Sequence, residues 1–337
     1  MVPVAEISQV GEARRRTLRL AEEIGLGEAE CGRATIIASE LATNLARYAT
    51  GGELLITAIA DGAEQQIDFA SVDRGPGMAD VERCMEDGYS SGGTAGNGLG
   101  AVKRLATEFD VYSGQPSGTI VFARLGTTAP QARDSKSFAW SVVSRPAPRE
   151  TQCGDSWRLC QRGDELSLMI VDGLGHGPLA AEAAATAADV FDGDPFMTLS
   201  ELLQSANRRM HGTRGGAMAA ARVDAHRAEL KYAGVGNIAG RLRSVDGEQE
   251  SRGLVSHNGI VGGEMRKVQE FSYTCPAQGL LVMHSDGLQS RWTLAAYPGL
   301  ARRHPGLVAG MLYRDFVRGN DDVTVAVVRL NFSSGAR

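Results

Sequence analysis

The sequence predicts an α/β protein of two domains joined by a short polar connector. Three observations predict it. In the second half, apolar strand-forming runs end in, or follow, aspartates set beside glycines. In the first half, one amphipathic helix is followed by two strands and two glycine-rich loops. Between them, Gly126–Lys136 is polar, holds one proline and has no apolar period, as a linker would. The 337 residues are too many for one ordinary core and comfortable for two. The expected domains are 1–126 and 137–337, with 127–136 as the linker.

The first domain opens on a predicted helix, Ala29–Ala49. Ile37, Leu41, Leu45 and Tyr48 recur at helical spacing and form one apolar face. Glu40 and Asn44 are also four apart and share another face. A stacked carboxylate and amide can hold a magnesium ion and orient a hydroxyl; a solvated polar face is the alternative. Gly51-Gly52 ends the helix. Glu53–Ala60 and Gln66–Val72 read as strands, followed by the turn Asp73-Arg74-Gly75-Pro76-Gly77. A second loop, Gly92 to Gly100, opens a helix at about Ala101–Glu108. Glycine-rich backbone entering a helix N-terminus cradles phosphate. No Gly-Lys-Ser/Thr is present, so this is not a P-loop. Gly96–Ala101 fits a loose dinucleotide pattern. However, a polar loop and not a strand precedes it, and the acidic ribose partner expected about twenty residues on is missing.

The second domain carries four aspartates. They lie in Cys153-Gly154-Asp155, Asp172-Gly173-Leu174-Gly175-His176-Gly177, His284-Ser285-Asp286-Gly287 and Asn320-Asp321-Asp322-Val323-Thr324. The apolar runs Leu166–Val171, Leu280–Met283 and Val323–Val328 adjoin three of them. Carboxylates at strand ends can converge on magnesium or manganese, which take oxygen ligands and keep several waters. Two such ions can activate a water and clamp a phosphoryl group. A single Asp-Gly reads first as a hairpin turn; the ordered set of four is far more specific. Pro178–Phe191 and Leu199–His211 read as helices, Gly216–Val223 and Glu229–Ala233 as strands. His176 can protonate a leaving group, bond a metal-held water, or merely shape its loop. His257 and Asn258 stand in motifs without an assigned chemistry. Arg208, Arg209, Arg214 and Arg222 offer guanidinium groups to phosphate or to solvent.

Composition narrows the functions. Apolar content of 43% and charged content of 22% suit a soluble globular protein. A net charge of −5 argues against nucleic acid as partner. No apolar run is long enough to cross a bilayer, and Met1–Gln9 lacks the layout of a secretion signal. Five cysteines without CxxC spacing read as reduced thiols in the cytoplasm. Cys153 and Cys160 are too far apart for a zinc knuckle.

The order of pieces in Ser8–Leu125 resembles the GHKL (Bergerat) ATPase fold, an α/β sandwich, in its anti-sigma-factor kinase branch. Ala38-Ser39-Glu40-Leu41-Ala42-Thr43-Asn44 resembles the N-box, Asp73-x-Gly75-x-Gly77 the adenine box, and Gly96-x-Gly98-Leu99-Gly100 the phosphate box. Asp87-Gly88-Tyr89-Ser90-Ser91-Gly92-Gly93 is similar to stressosome switch kinases. The resemblance implies ATP with magnesium as cofactor. It makes Asn44 a magnesium ligand and Glu40 the base or hydroxyl orienter. Asp73 becomes the adenine acceptor, with Gly75, Gly77, Gly96, Gly98, Leu99, Gly100 and Thr119 lining the nucleotide.

Phe138–Asn331 resembles the PPM metal-dependent Ser/Thr phosphatases, an α/β/β/α sandwich, in the SpoIIE branch. Ala233-Gly234-Val235-Gly236-Asn237, Ser256-His257-Asn258-Gly259 and Met283–Gly287 bring it nearest the stressosome phosphatases. This resemblance implies two manganese or magnesium ions held by Asp155, Asp172, Asp286, Asp321 and the Gly173 carbonyl. Cys153 stands where the family tends to have glycine. Together the two resemblances imply a bifunctional switch acting on Ser/Thr of STAS-domain proteins. The competing reading keeps the phosphatase and makes the first domain a docking or ATP-sensing module. A histidine-kinase module is disfavoured, since no helix with a phospho-acceptor histidine precedes residue 29.

Overall fold

The computed structural model describes residues 1–61, 64–85, 98–115, 117–127, 137–246, 251–265 and 267–332. Gly96, the Asp87–Gly93 stretch and nearly all of the linker lie outside them. The chain forms two compact units: Met1–Arg133 with Gly306–Arg314, and Asp134–Pro305 with Asp315–Arg337. The domain limits read from sequence differ from this at 306–314, which packs with the first unit.

In the first unit, helices α1 (Val10–Glu23) and α2 (Glu28–Tyr48) lie on a five-stranded sheet. Its strands are β1 (Val2–Val4), β2 (Gly52–Asp61), β3 (Glu64–Val72), β4 (Glu108–Gly114) and β5 (Gly118–Gly126), in the order β1-β2-β3-β5-β4. Every neighbouring pair is antiparallel. Alternation sends Ile67, Phe69, Val121, Ala123 and Leu125 to one face. There they bury Ile37, Leu41 and Leu45 of α2. Tyr48 departs from the expected stripe: it is the last residue of the helix and is 44% exposed. Helix α3 spans Gly98–Leu105, three residues earlier than the sequence suggests. Thr107 donates both its N–H and its hydroxyl to the Arg124 carbonyl, so the chain is already extended when Glu108 opens β4.

The opposite sheet face presents Ala70, Val72, Ile120 and Phe122, and residues 306–314 cover it. Gly306 lies against Phe122, and Gly310 against Ile120 and Val72. Two glycines four apart share a helix face, and without side chains they let the backbone close on the sheet. Arg124 is fully buried on this face and forks onto Asp68 through two hydrogen bonds of 2.6 Å, with Glu108 at 3.3 Å. Burial opposes its charge, but the two carboxylates outweigh that and hold its pKa above the ordinary arginine value.

The second unit stacks two antiparallel sheets. One contains β7 (Asp155–Arg162), β8 (Glu165–Gly173), β9 (Gly216–Asp224), β10 (Glu229–Val235) and β13 (Phe271–Thr274), ordered β13-β10-β9-β8-β7. The other contains β6 (Phe138–Arg145), β11 (Ala239–Ser244), β12 (Arg252–Gly253), β14 (Gln278–His284) and β15 (Val323–Asn331), ordered β12-β11-β14-β15-β6. Leu166, Leu168 and Ile170 of β8 meet Leu281, Met283, Ala326 and Val328 between the sheets. On the outer face of the first sheet, Met169, Val171 and Met218 carry α4 (Pro178–Gly193) and α5 (Leu199–Arg209). The alanines of α4 (Ala183, Ala184, Ala187) are buried against it and permit close helix–sheet packing. No helix of the described residues is long and apolar enough to cross a membrane.

Candidate active sites

In the second unit, each expected aspartate sits at a strand end. Asp155 opens β7 directly opposite Asp172 near the end of β8. Asp286 follows β14 by two residues and Asp321 precedes β15 by two. The Ser285 hydroxyl donates to Asp155 Oδ2 at 2.6 Å and accepts from the Thr324 N–H at 2.9 Å, tying three of the motifs together. Asn237 Nδ2 donates to Asp286 Oδ2 at 2.8 Å. Burial first, then the surrounding carboxylates, pushes the pKa values of Asp155, Asp172 and Asp286 up. Asp172 feels Asp155, Asp286, Asp321 and Asp322 together. Asp322 was not on the sequence-derived set. It is buried, and its Oδ1 accepts from the Ala147 N–H at 2.8 Å. An ideal Cβ on Gly154 would stand 2.5 Å from Asp322 Oδ2, so only glycine fits before Asp155.

Two buried carboxylate oxygens here, Asp155 Oδ1 and Asp322 Oδ2, have no hydrogen-bond partner. Unpaired buried carboxylate oxygens amid like charge are costly unless a cation meets them. All-oxygen donors suit a hard divalent ion. Among the described residues no three His, Cys, Asp or Glu side chains close on one metal position. That arrangement still fits ions of the magnesium class, which are held through one or two carboxylates and retain water. Gly173 packs against the Ala180 backbone with no room for a Cβ. Burial, followed by Asp155, pushes the Cys153 thiol up.

The remaining candidates separate clearly. His176 Nδ1 lies 2.7 Å from Glu150 Oε1. His257 serves the backbone: its carbonyl accepts from Gly236 N–H and its N–H donates to Gly234, fixing the turn before Asn237. Arg222 donates to the Pro195 and Met197 carbonyls, and Arg208 to Ser205, so neither guanidinium is committed to phosphate. Arg214 lies beside the aspartate loop, 3.5 Å from the Leu174 carbonyl. Asn258 is exposed.

In the first unit, α2 and the start of α3 bring Glu40, Asn44 and Gly98 together. An ideal Cβ on Gly98 would be 3.2 Å from Asn44 Oδ1 and 3.5 Å from Glu40 Oε2. Leu99 and Gly100 continue into α3. Asp73 is buried, and its Oδ1 accepts from Gly75 N–H at 2.7 Å and Thr119 N–H at 3.3 Å. Burial pushes its pKa up against these hydrogen bonds. Gly77 (φ 75°) lies with its Cβ position 2.6 Å from the Gly114 carbonyl, and Gly118 (φ 78°) presses on the Asp73 carbonyl. The Thr119 hydroxyl meets Ser113 at 2.9 Å. Sequence reasoning missed Arg314, whose Nη1 donates to the carbonyls of Asp73 (2.9 Å) and Ser117 (2.8 Å). It stands about 240 positions from Asp73. Only the glycine pair at 306 and 310 hints that its helix packs on something flat.

A helix-borne Glu and Asn beside a glycine box, and a two-sheet sandwich ending in aspartates, define a kinase-type ATPase domain and a PPM-type phosphatase domain. Residues 4–125 match the model of the histidine kinase-like ATPase domain. Residues 162–331, half of the chain, match that of Stage II sporulation protein E (SpoIIE). The serine/threonine-protein kinase RsbT of Bacillus subtilis (strain 168) is 39% identical over 111 residues, 33% of this chain and 84% of RsbT. The phosphoserine phosphatase RsbX of the same organism is 27% identical over 136 residues, 40% of this chain and 67% of RsbX. A solved structure described under "The bacterial stressosome: a modular system that has been adapted to control secondary messenger signaling" superposes with a TM-score of 0.53. It is 27% identical and covers 57% of this chain and 99% of that one. The chain belongs to the SpoIIE family and, through its first domain, to the histidine kinase-like ATPases that include RsbT. It is an enzyme, a Ser/Thr protein phosphatase of the PPM type joined to a serine/threonine-kinase-type domain.

Proposed function

We propose that the chain is a bifunctional cytoplasmic switch that phosphorylates and dephosphorylates Ser/Thr of STAS-domain proteins in a stressosome-type pathway. The observation that carries the kinase half is the approach of Glu40 and Asn44 to Gly98. A docking module needs neither side chain; a phosphoryl-transfer site needs both at the head of the phosphate-box helix. Asp73 receives the adenine amino group through its second oxygen, since Oδ1 is already occupied. Thr119 holds Asp73 through its N–H, and Asn44 would be the ligand for the magnesium that ATP brings. Glu40 accepts the proton of the incoming hydroxyl.

In the phosphatase half, Asp155, Asp172, Asp286, Asp321 and the Gly173 carbonyl would hold two magnesium or manganese ions. Bound there, such ions acidify water and neutralise phosphoryl charge. Ser285 and Asn237 fix the carboxylates that face them, leaving the other oxygens free for ligands. The names of RsbT, RsbX and the stressosome structure support the choice of substrate class.

The test is incubation with magnesium-ATP and a STAS-domain protein, phosphate being followed by mass spectrometry. The Asp286→Asn chain should load phosphate, and the Glu40→Gln chain should remove it. An Asp286→Asn protein that binds ATP and the STAS protein but transfers nothing would make the first domain a docking or sensing module.

A further inference from the structure

We infer that His284 is a positioning residue: held by Trp292, it fixes the Ser285–Asp286 peptide and so aims the Asp286 carboxylate at the proposed metal position, a role that rests on the phosphatase reading above. Leu281 and Met283 of β14 face the interior of the sandwich, so strand alternation turns His284, the last residue of β14, to the outer face. It is 1% exposed there. Its Nδ1 lies 2.8 Å from the Ser285 carbonyl, and the Trp292 Nε1–H donates to its Nε2 at 3.1 Å. A carbonyl only accepts and an indole N–H only donates. One tautomer satisfies both, a neutral imidazole with its proton on Nδ1.

This bond reaches the ligand through rigid geometry. A peptide unit is planar from one Cα to the next, so the direction of the Ser285 carbonyl sets where the Asp286 Cα stands. The other polar groups of Ser285 are committed elsewhere. Its N–H donates to the Thr324 carbonyl at 3.0 Å, and its hydroxyl joins Asp155 to the Thr324 N–H. Leu288 N–H closes the turn on the same Ser285 carbonyl, but at 3.3 Å, longer than the imidazole bond. On its far side the turn presses on the approach to β15: an ideal Cβ on Gly287 would run into the Asp322 carbonyl. Asn237 then holds Oδ2 of Asp286, which leaves Oδ1 with a defined direction.

Trp292 is itself held. Arg241 of β11 donates from Nη2 to the Ser290 carbonyl at 2.6 Å, and its guanidinium lies over the indole, 4.8 Å from the ring centroid. The indole is 4% exposed and meets the imidazole in a T-shaped contact. Burying an imidazole costs free energy unless its nitrogens are bonded. An aliphatic side chain would fill the same place with no such cost, so what the histidine adds is direction.

The experiment titrates manganese into metal-free wild type, His284→Leu, His284→Asn and Trp292→Phe by calorimetry, and follows phosphoserine hydrolysis against manganese concentration. His284→Leu should bind manganese about 10–100-fold more weakly, as loss of a partner behind a ligand does. His284→Asn keeps a donor near the Nδ1 position and should recover most of that loss. Trp292→Phe should lose about two- to tenfold, the worth of one neutral hydrogen bond. It should lose nothing further when added to His284→Asn, which offers the indole no acceptor. In each variant half-saturating manganese should rise, while the rate at saturating manganese stays within a few-fold of wild type. In metal-free wild type, ¹⁵N NMR should find the proton on His284 Nδ1 and a scalar coupling across the bond from Trp292 Nε1. Manganese affinities equal to wild type overturn the assignment, as do an asparagine no better than leucine and a ring proton on Nε2. So does a rate lowered at every manganese concentration with no shift in half-saturation, the mark of a merely structural residue. A wild type that binds manganese in this pattern but hydrolyses no phosphoserine protein removes the phosphatase reading and leaves His284 in its role. One that binds no manganese removes both.

Discussion

Replacing Asp73 by Asn should separate nucleotide affinity from stability. Oδ1 accepts from the N–H groups of Gly75 and Thr119. An asparagine keeps an oxygen there and turns an NH₂ toward the position proposed for adenine. A donor would then face the adenine amino donor where an acceptor stood. A hydrogen bond to a charged group contributes roughly 1.5–3 kcal/mol, so affinity for magnesium-ATP should fall about ten- to a hundredfold. The free protein should respond in the opposite sense. Burial raises the Asp73 pKa despite the two hydrogen bonds, so the folded state prefers the neutral form. The unfolded chain releases its proton first as pH climbs above the ordinary carboxylate range. Stability therefore falls from that range up to the raised folded value, and the cost persists above it. Asn carries no charge to bury. At neutral pH the melting temperature of the free Asp73→Asn protein should equal or exceed that of wild type, and the part of the acid-side slope due to Asp73 should disappear. Calorimetric titration and thermal melts over pH measure the two halves. Unchanged affinity would remove Asp73 from the adenine site. Lower affinity accompanied by a lower melting temperature would mean that the substitution damages the turn, and the proposed division between binding and burial would be wrong.

Three further outcomes follow from the same geometry. Asp286→Asn and Asp172→Asn should abolish hydrolysis of a phosphoserine protein, and chelation of the wild type should do so reversibly, with recovery on adding manganese or magnesium; full activity in Asp286→Asn without excess manganese would refute the ligand assignment. Glu40→Gln should leave ATP affinity nearly intact while phosphoryl transfer, assayed with Asp286→Asn in place, drops by about 10²–10⁴; unchanged transfer would keep the kinase and remove Glu40 from its mechanism. Arg314→Ala frees the carbonyls of Asp73 and Ser117. At about 1 kcal/mol for each lost bond it should weaken magnesium-ATP binding about five- to thirtyfold, an effect that calorimetry would show to be absent if the brace were idle.

The parts of these sites that were legible in sequence are those whose chemistry is local. Glu40 and Asn44 share a helix face because of their spacing, and the structure sets Gly98 against both. The apolar run 166–171 lies within β8, so the sequence already places Asp172 near its end. Local pattern misjudged Tyr48, since a stripe records periodicity and not where the neighbouring core stops. It also started α3 late, because glycines counted as loop residues can begin a helix when N–H groups there are left for a ligand. What no local pattern carried are the partners fixed by topology. The bidentate Asp68–Arg124 pair exists because β3 and β5 are neighbours in register, Asp68 opposite Arg124. Glu150 reaches His176 only because the turn after β6 is tied to Asp322 at the head of β15. Arg314 braces Asp73 because a helix far along the chain packs by two glycines on the free face of the first sheet. In the last two cases the sequence names the candidate site residue, and the side chain that braces it comes from another element. A motif therefore identifies the chemistry earlier than it identifies the groups that keep that chemistry in place.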